Sequence, residues 1–272
     1  MLLLGPDDQD TLRSMDEQAR VLASHGKYQQ AGATSRRVLE VREKVLGEEH
    51  VDTLTSYYHL AATQVQQGNY ELAEATERRA LEALERVLGE EHAPVLYSLD
   101  HLAYVLVEQG KYDIAEKIIR RVLETGVRAQ ETEHVHTLLI IDNLANVLKL
   151  QEKYVEAEKM FREALAGKEK VLGREDPETL LSLHGVAVLL ADQEKYEEAA
   201  EVHRQALNGF QKVHGYEHSA TLNSAYDLAH CLRYLGSDEE ALKMMGSCAD
   251  TALKLFGPDH PDTIDRLQWK AD

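Results

Sequence analysis

The sequence predicts an all-α fold made of stacked pairs of antiparallel helices. Two observations support this prediction. A pattern of residues recurs every 42 positions along nearly the whole chain, and each unit contains two stretches of apolar residues at helical spacing. Because one helix pair cannot bury its apolar face alone, we expect neighbouring pairs to stack into a solenoid.

Several independent residue series keep the same phase. They are Tyr28, Tyr70, Tyr112, Tyr154 and Tyr196; Thr11, Thr53, Thr137, Thr179, Thr221 and Thr263; and Ala19, Ala61, Ala103, Ala145, Ala187 and Ala229. We interpret 11–262 as six 42-residue helix-pair repeats, 1–10 as the end of a preceding repeat or an N-terminal extension, and 263–272 as a partial seventh repeat or closing helix. Either a short natural protein or an array taken from a longer chain fits, and the start within a unit favours the second.

The second 42-residue repeat shows why each helix is expected. Its first helix follows Thr53, which can accept backbone N–H groups as a cap, and apolar residues from Leu60 to Val65 form its buried stripe. Glycine at Gly68 suits the left-handed position at a helix C-terminus. The second helix is predicted over about 71–88, and Tyr70 is expected to fill the wedge between the two helices.

Glycines and their replacements mark departures from the pattern. Glu152 and Glu194 stand where other repeats have the glycine between the two helices, so those turns must use a non-glycine residue. Gly126, Gly167 and Gly209 lie at nearly one phase of the second helices. We expect these three glycines to permit close contact between helices.

The string Gln109-Gly110-Lys111-Tyr112, followed by Ala115-Glu116, resembles a tetratricopeptide repeat. The longer linker at 43–50, EKVLGEEH, resembles the 42-residue variant found in kinesin light chains and their bacterial and fungal relatives. The resemblance implies a right-handed α-solenoid whose first helices line a concave groove. It also implies a module that binds proteins.

Composition excludes several classes of partner. The chain has 272 residues with 30 Lys and Arg against 48 Asp and Glu, a net charge of −18. Such a charge argues against binding nucleic acid through phosphate neutralisation and against an anionic membrane surface. The only apolar run at the start is Met1–Leu4, so we expect no signal peptide or membrane span. Two cysteines cannot form a disulfide framework, which favours a reducing, cytoplasmic setting.

The resemblance also indicates which first-helix positions face the groove. The partner-binding candidates at these positions are Tyr58, Tyr97, Asp100, Tyr104, Asp142, Asn146, Lys149, His184, Tyr226 and His230. Relatives carry an Asn-Asn pair here that can clamp a peptide backbone, whereas this chain has mostly tyrosine, aspartate and histidine. We therefore expect a peptide or protein segment with basic residues in the groove, although a solvated helical face that has drifted also fits.

The middle of the groove gives the sharpest expectation. Tyrosines and carboxylates from four consecutive first helices lie at matching phases, and stacking would gather them on one strip. Buried aromatic anchors commonly carry most of the binding energy. Tyr104→Ala and Asp142→Ala are each expected to weaken partner binding at least about tenfold, with the helical spectrum and melting point nearly unchanged.

No catalytic residue, cofactor or metal site is predicted. The linker histidines His50, His92, His134, His218 and His260 are interpreted as hydrogen-bonding turn residues. Cys231 and Cys248 are interpreted as two buried thiols. The leading function is a non-catalytic interaction scaffold. The alternatives are a small-molecule sensor or enzyme that uses the groove's Tyr/Asp/His cluster, the sensor array of a larger nucleotide-binding signalling protein, and a structural spacer. The sequence leaves the oligomeric state open between a monomer and end-to-end association.

Overall fold

The computed structural model of the protein describes residues 5, 8–128, 135–258 and 261–271, with the backbone alone at 126–128, 261–262 and 269–271. These residues form thirteen helices and no strand, which confirms the all-α prediction. The helices are α1 Gln9–Ser24, α2 Tyr28–Leu46, α3 Val51–Gln66, α4 Tyr70–Leu88, α5 Ala93–Glu108, α6 Tyr112–Arg128, α7 Val135–Leu150, α8 Tyr154–Val171, α9 Pro177–Asp192, α10 Tyr196–His214, α11 Ser219–Tyr234, α12 Asp238–Phe256 and α13 Pro261–Ala271. Part of the predicted 1–10 segment therefore lies outside the described residues.

The contacts divide the chain into two compact units, Met1–Ala129 and Gln130–Asp272. The first contains α1 to α6 and the second α7 to α13. Within each unit every helix packs against the next one along the chain, and the short connections make such neighbours antiparallel. First helices of adjacent pairs also contact each other, α1 with α3, α7 with α9 and α9 with α11. The first helices of these neighbouring pairs therefore lie side by side.

A linker histidine caps α3 and α11, whereas His92, also among the described residues, makes no side-chain hydrogen bond to the start of α5. The ring Nδ1 of His50 accepts a hydrogen bond of 3.1 Å from the backbone N–H two residues on, and His218 does the same at 3.2 Å. The interpretation of linker histidines as turn residues is therefore confirmed at these two positions, whereas His134 and His260 lie outside the described residues. The predicted cap Thr53 is wrong, because it is the third residue of α3 and is fully buried.

The turns between paired helices require a left-handed residue. Gly68 and Gly110 have φ of 74° and 72°, and Glu152 and Glu194 adopt φ of 61° and 62° at the same place. The predicted non-glycine turns are confirmed. A side chain with a Cβ pays a steric cost in this conformation.

Two of the three second-helix glycines mark close helix contacts, as expected. A Cβ on Gly167 would lie 2.4 Å from Leu138 Cδ2, and one on Gly209 would lie 2.3 Å from Leu180 Cδ2. The surroundings of Gly126 lie outside the described residues. The missing side chains therefore let a leucine of the neighbouring first helix reach the second-helix backbone.

The repeat tyrosine packs in the wedge between helices, as predicted. Tyr70 packs against a small cluster formed by Val65, Ala73 and Val105. Its backbone carbonyl accepts a hydrogen bond of 3.0 Å from Gln109 Nε2 of the following pair. The tyrosine therefore fixes both the angle within one pair and its contact with the next.

Candidate functional site

Three tyrosines form an exposed aromatic surface on the first unit. Tyr58 of α3 and Tyr97 and Tyr104 of α5 are 47%, 55% and 50% exposed. Asp100, one helical turn from both tyrosines of α5, is half-buried. Large aromatic side chains that remain half-exposed supply rigid contact area at low conformational cost. We call Tyr58, Tyr97 and Tyr104 the tyrosine face.

A histidine that is absent from the predicted set lies between two of these tyrosines. The ring of His101 lies 4.7 Å from that of Tyr58 and 6.1 Å from that of Tyr104, measured between ring centres. Its Nδ1 is 2.6 Å from the carboxylate of Glu77, a residue only 1% exposed. The same glutamate accepts a hydrogen bond of 3.2 Å from Ser98 Oγ. A buried carboxylate on α4 therefore holds the imidazole that supports the tyrosine face.

The tyrosine face borders a small cavity of about 270 Å³. Its lining is largely apolar and consists of Val51, Leu54, Thr55, Tyr58, Glu77, Ala80, Leu84, Pro94, Tyr97 and Ser98. Apolar concavities rimmed by aromatic and polar groups are the usual places where a ligand side chain is buried. This cavity can take one such side chain.

In the second unit the side chain of Asp142 is largely buried, with 13% of its surface exposed. Its Oδ2 lies 2.6 Å from the ammonium of Lys168, which is fully buried, and accepts a hydrogen bond of 2.5 Å from Ser182 Oγ. Burial raises the pKa of the Asp142 carboxyl, and the Lys168 and Ser182 contacts oppose that rise. The carboxylate therefore has partners within the chain.

The first unit contains an equivalent buried ion pair at the positions three repeats earlier. Arg42 Nη1 lies 2.7 Å from Asp16 Oδ2, with side chains 5% and 14% exposed, and donates a 2.6 Å hydrogen bond to Ser56 Oγ. In each case a second-helix cation joins the first helices of its own and the following pair. We call Arg42–Asp16 and Lys168–Asp142 the buried ion pairs. They hold helix pairs together.

Two further candidates, Asn146 and Lys149, line a second cavity. It has a volume of about 380 Å³ and is bordered also by Asp142, Lys168 and His184. Asn146 is exposed. The Lys149 ammonium lies 3.7 Å from the carboxylate of Asp192.

Another candidate, His184, belongs to a cluster with two residues that the sequence did not single out. His184 Nε2 lies 3.3 Å from Asp227 Oδ2, and the rings of His184 and His203 are 5.2 Å apart between centres. His203 is fully buried. Burial lowers the pKa of His184 to about 4 and that of His203 to about 3, and it raises the pKa of Asp227 to about 6. Both imidazoles are therefore neutral at pH 7.

The last two candidates belong to an aromatic group on α11. The ring of Tyr226 lies 5.2 Å from that of His230, and His230 lies 6.5 Å from Tyr234. Tyr234 stacks at 4.3 Å on Tyr196, a repeat tyrosine. Burial and a hydrogen bond to Asp265 raise the pKa of Tyr226 to about 12. These rings border a cavity of about 410 Å³.

The ten candidates thus divide between the two units, Tyr58, Tyr97, Asp100 and Tyr104 in the first and the other six in the second. Cys231 and Cys248 are both buried and unpaired, as predicted. Among the described helices, none is long and apolar enough to cross a membrane.

The tetratricopeptide repeat family profile matches residues 10–86, 93–170, 134–212 and 178–252. The chain belongs to the tetratricopeptide repeat family. The resemblance drawn from the sequence is therefore confirmed, and as a member of this family the chain is a scaffold for protein interaction. No curated protein sequence matches the chain significantly.

Solved structures share this fold at low sequence identity. Nearly identical TPR-like repeats of a kinesin light chain from Podospora anserina are 24% identical, cover 76% of this chain and 99% of their own, and have a TM-score of 0.62. BtubC (BKLC) from P. vanneervenii is 19% identical over 93% of this chain and 92% of its own, with a TM-score of 0.65. A Rap protein complexed with Competence and Sporulation Factor is 13% identical over 93% and 72%, with a TM-score of 0.63.

Proposed function

We propose that the protein is a non-catalytic binding module that takes a peptide segment of a partner on the tyrosine face of its first unit. The observation that carries this proposal is the set of three half-exposed tyrosines on adjacent first helices, two of which, Tyr58 and Tyr97, line an apolar cavity. The Rap protein of similar fold was solved in complex with Competence and Sporulation Factor, which supports a segment as the ligand. The unpaired thiols support a reducing, cytoplasmic setting.

Charge favours basic residues in that segment. The chain carries a net charge of −18, and Glu108 is close enough to Tyr104 to raise the pKa of its hydroxyl, after the larger effect of burial. The protein already places its own cations on tyrosine rings, with Arg79 5.2 Å from the centre of Tyr57 and Arg266 5.5 Å from that of Tyr226. A Lys or Arg of the partner would gain the same attraction at the tyrosine face.

Five of the six candidates on the second unit, all but Asp142, are proposed as a separate contact surface. Tyr226 and His230 border the cavity of about 410 Å³, and Asn146 is exposed for hydrogen bonding. Asp142 is assigned a structural part in this proposal, because Lys168 and Ser182 already occupy its carboxylate.

Selection from a random peptide library against the full chain tests the proposal. The selected segments should be enriched in Lys and Arg next to apolar residues. Tyr104→Ala should weaken their binding at least about tenfold, which is roughly 1.4 kcal/mol. Tyr216→Ala is the matched control, because Tyr216 is 73% exposed in a linker of the second unit. Equal affinity of the two variants, or selection of no segment, would contradict the proposal.

A further inference from the structure

We propose that His184, His203 and Asp227 form a binding site for a divalent transition-metal ion, with zinc as the best match. One ligand atom from each residue lies within 4.8 Å of the other two. The three side chains come from successive helices, α9, α10 and α11. Two imidazoles and one carboxylate are a ligand set that zinc accepts, with a fourth position left for water or an exogenous group. The inference is independent of peptide binding to the tyrosine face.

The spacing of the ligand atoms suits this ion. Tetrahedral zinc at about 2.0–2.2 Å from each ligand separates neighbouring ligand atoms by roughly 3.4 Å. His184 Nε2 and Asp227 Oδ2 are already 3.3 Å apart. A ring nitrogen of His203 lies at most 4.8 Å from each of these two atoms. A rotation of the ring can shorten that separation to the tetrahedral distance.

A second observation is the hydrogen bonding of His203. The side chain is fully buried, and among the described residues neither of its ring nitrogens has a hydrogen-bond partner. The Nδ1 of His184 also has none there. Buried polar groups are nearly always paired, and leaving one unpaired is costly. A metal ion would give a ring nitrogen of His203 the partner that it needs.

In the first unit, a carboxylate and an imidazole at the equivalent positions are paired with each other. Three repeats earlier, the positions of His184, His203 and Asp227 are occupied by Tyr58, Glu77 and His101. There the carboxylate and the imidazole contact each other directly at 2.6 Å. In the second unit the carboxylate and the imidazole have exchanged helices, and the tyrosine is replaced by another imidazole. The second unit therefore has two imidazoles beside one carboxylate, and among the described residues that carboxylate pairs with His184 and not with His203.

The surroundings permit an ion to reach the site. The cavity of about 410 Å³ is bordered by His203, Asp227 and Cys231 and gives room for water at the open position. After burial, the positive charge of Lys149 acts on the pKa of both His184 and Asp227 and lowers each of them. Its ammonium is 3.7 Å from the carboxylate of Asp192, so part of its positive charge is balanced.

The test uses the full chain after treatment with a chelator. Zn²⁺ is titrated by calorimetry, and Co²⁺ is added as a probe whose visible absorption reports its coordination. We expect one ion per chain. His203→Ala and His184→Gln should each weaken Zn²⁺ binding at least about a hundredfold, because even changes outside the ligand shell cost roughly 10–100-fold.

The double variant His214→Ala/His218→Ala is the matched control, because these two rings stack at 4.1 Å outside the cluster and could hold an ion by themselves. It should bind Zn²⁺ as the parent does. Should His203→Ala fail to fold by circular dichroism, His184→Gln decides, since the His184 side chain is 21% exposed. Absence of stoichiometric binding, unchanged binding in His184→Gln, or loss of binding in the control variant would each overturn the proposal.

Discussion

The carboxylate of Asp142 shows how one residue can have the position of a binding group and the contacts of a core group. It lies on a first helix at the phase of the groove candidates, yet it contacts a lysine that is fully buried. A lysine ammonium inside a protein needs a counter-ion, because its transfer from water costs several kcal/mol. The partner of Asp142 is therefore Lys168, and the sequence pattern alone does not show this.

Asp142→Ala is expected to destabilise the protein strongly, in contrast to the unchanged melting point expected from the sequence. Removing one member of a buried ion pair costs about 3–5 kcal/mol, and the carboxylate of Glu178, 3.6 Å from the ammonium, places the value near the lower limit, about 3 kcal/mol. Urea denaturation measures it. The control Asp192→Ala removes an exposed partner of Lys149 and should cost less than about 1 kcal/mol. Similar losses in both variants would refute the structural assignment of Asp142.

At the scale of the helix, glycine positions determine how closely neighbouring helices approach each other. Gly185 of α9 lies against the ring of Phe161 in α8, and an added Cβ would be 2.5 Å from its Cε1. Phe161 is only 1% exposed, so the ring has little room to move. Helix α9 therefore packs this closely on α8 because position 185 has no side chain.

Gly185→Ala should lower the free energy of unfolding by about 1–3 kcal/mol, the usual cost of overpacking a core. Thermal and urea denaturation measure the loss. The double variant with Phe161→Leu is the control, since a smaller side chain relieves the clash. Its cost should be less than the sum of the two single costs, and a strictly additive result would mean that the ring is not the obstacle.

The turn between α7 and α8 stores backbone strain at Glu152. Its φ of 61° is the left-handed conformation that Gly68 adopts in another turn. Glu152→Gly should raise the free energy of unfolding by about 0.5–1 kcal/mol, because the steric cost of the left-handed region exceeds the entropy that glycine loses. Glu152→Ala keeps a Cβ and should give no such gain. A gain of equal size in both variants would point to charge and not to backbone conformation.

At the scale of the whole molecule, charge should control how fast a partner is captured. With a net charge of −18, the chain attracts a basic segment over a distance that salt shortens, from about 10 Å at 0.1 M to about 3 Å at 1 M. Raising NaCl across this range should reduce the association rate constant several-fold and change dissociation much less. Stopped-flow measurements with a selected peptide, and with a version whose Lys and Arg are replaced by Gln, test this. The neutral peptide should show little salt dependence.

The sequence predicted the helices well, because periodicity and turn chemistry are local signals. The second helix expected over about 71–88 spans Tyr70–Leu88, and the strained turns at Glu152 and Glu194 were foreseen. The exposed tyrosines of the first unit lie at first-helix positions that the family resemblance indicated. The sequence missed His101, His203 and Asp227 as members of clusters, because their partners come from neighbouring helices. A comparison of the three positions that join Tyr58, Glu77 and His101 with their equivalents three repeats later would have indicated both clusters.

The buried ion pairs have a consequence for how such a chain finds its native arrangement. Hairpins of nearly identical apolar pattern can stack on the wrong neighbour while the chain folds, a characteristic error of repeat proteins. Lys168 enters the core with its charge, and the carboxylate that receives it belongs to Asp142. Asp142 and Lys168 belong to the same hairpin, and the following hairpin adds the hydroxyl of Ser182, which donates a hydrogen bond to the carboxylate. A mistaken neighbour without that hydroxyl would leave the buried carboxylate with one partner fewer, at a cost of about 1–3 kcal/mol. In the first unit Ser56 of the following hairpin accepts a hydrogen bond from Arg42, so each buried ion pair favours the hairpin that brings a hydroxyl beside it.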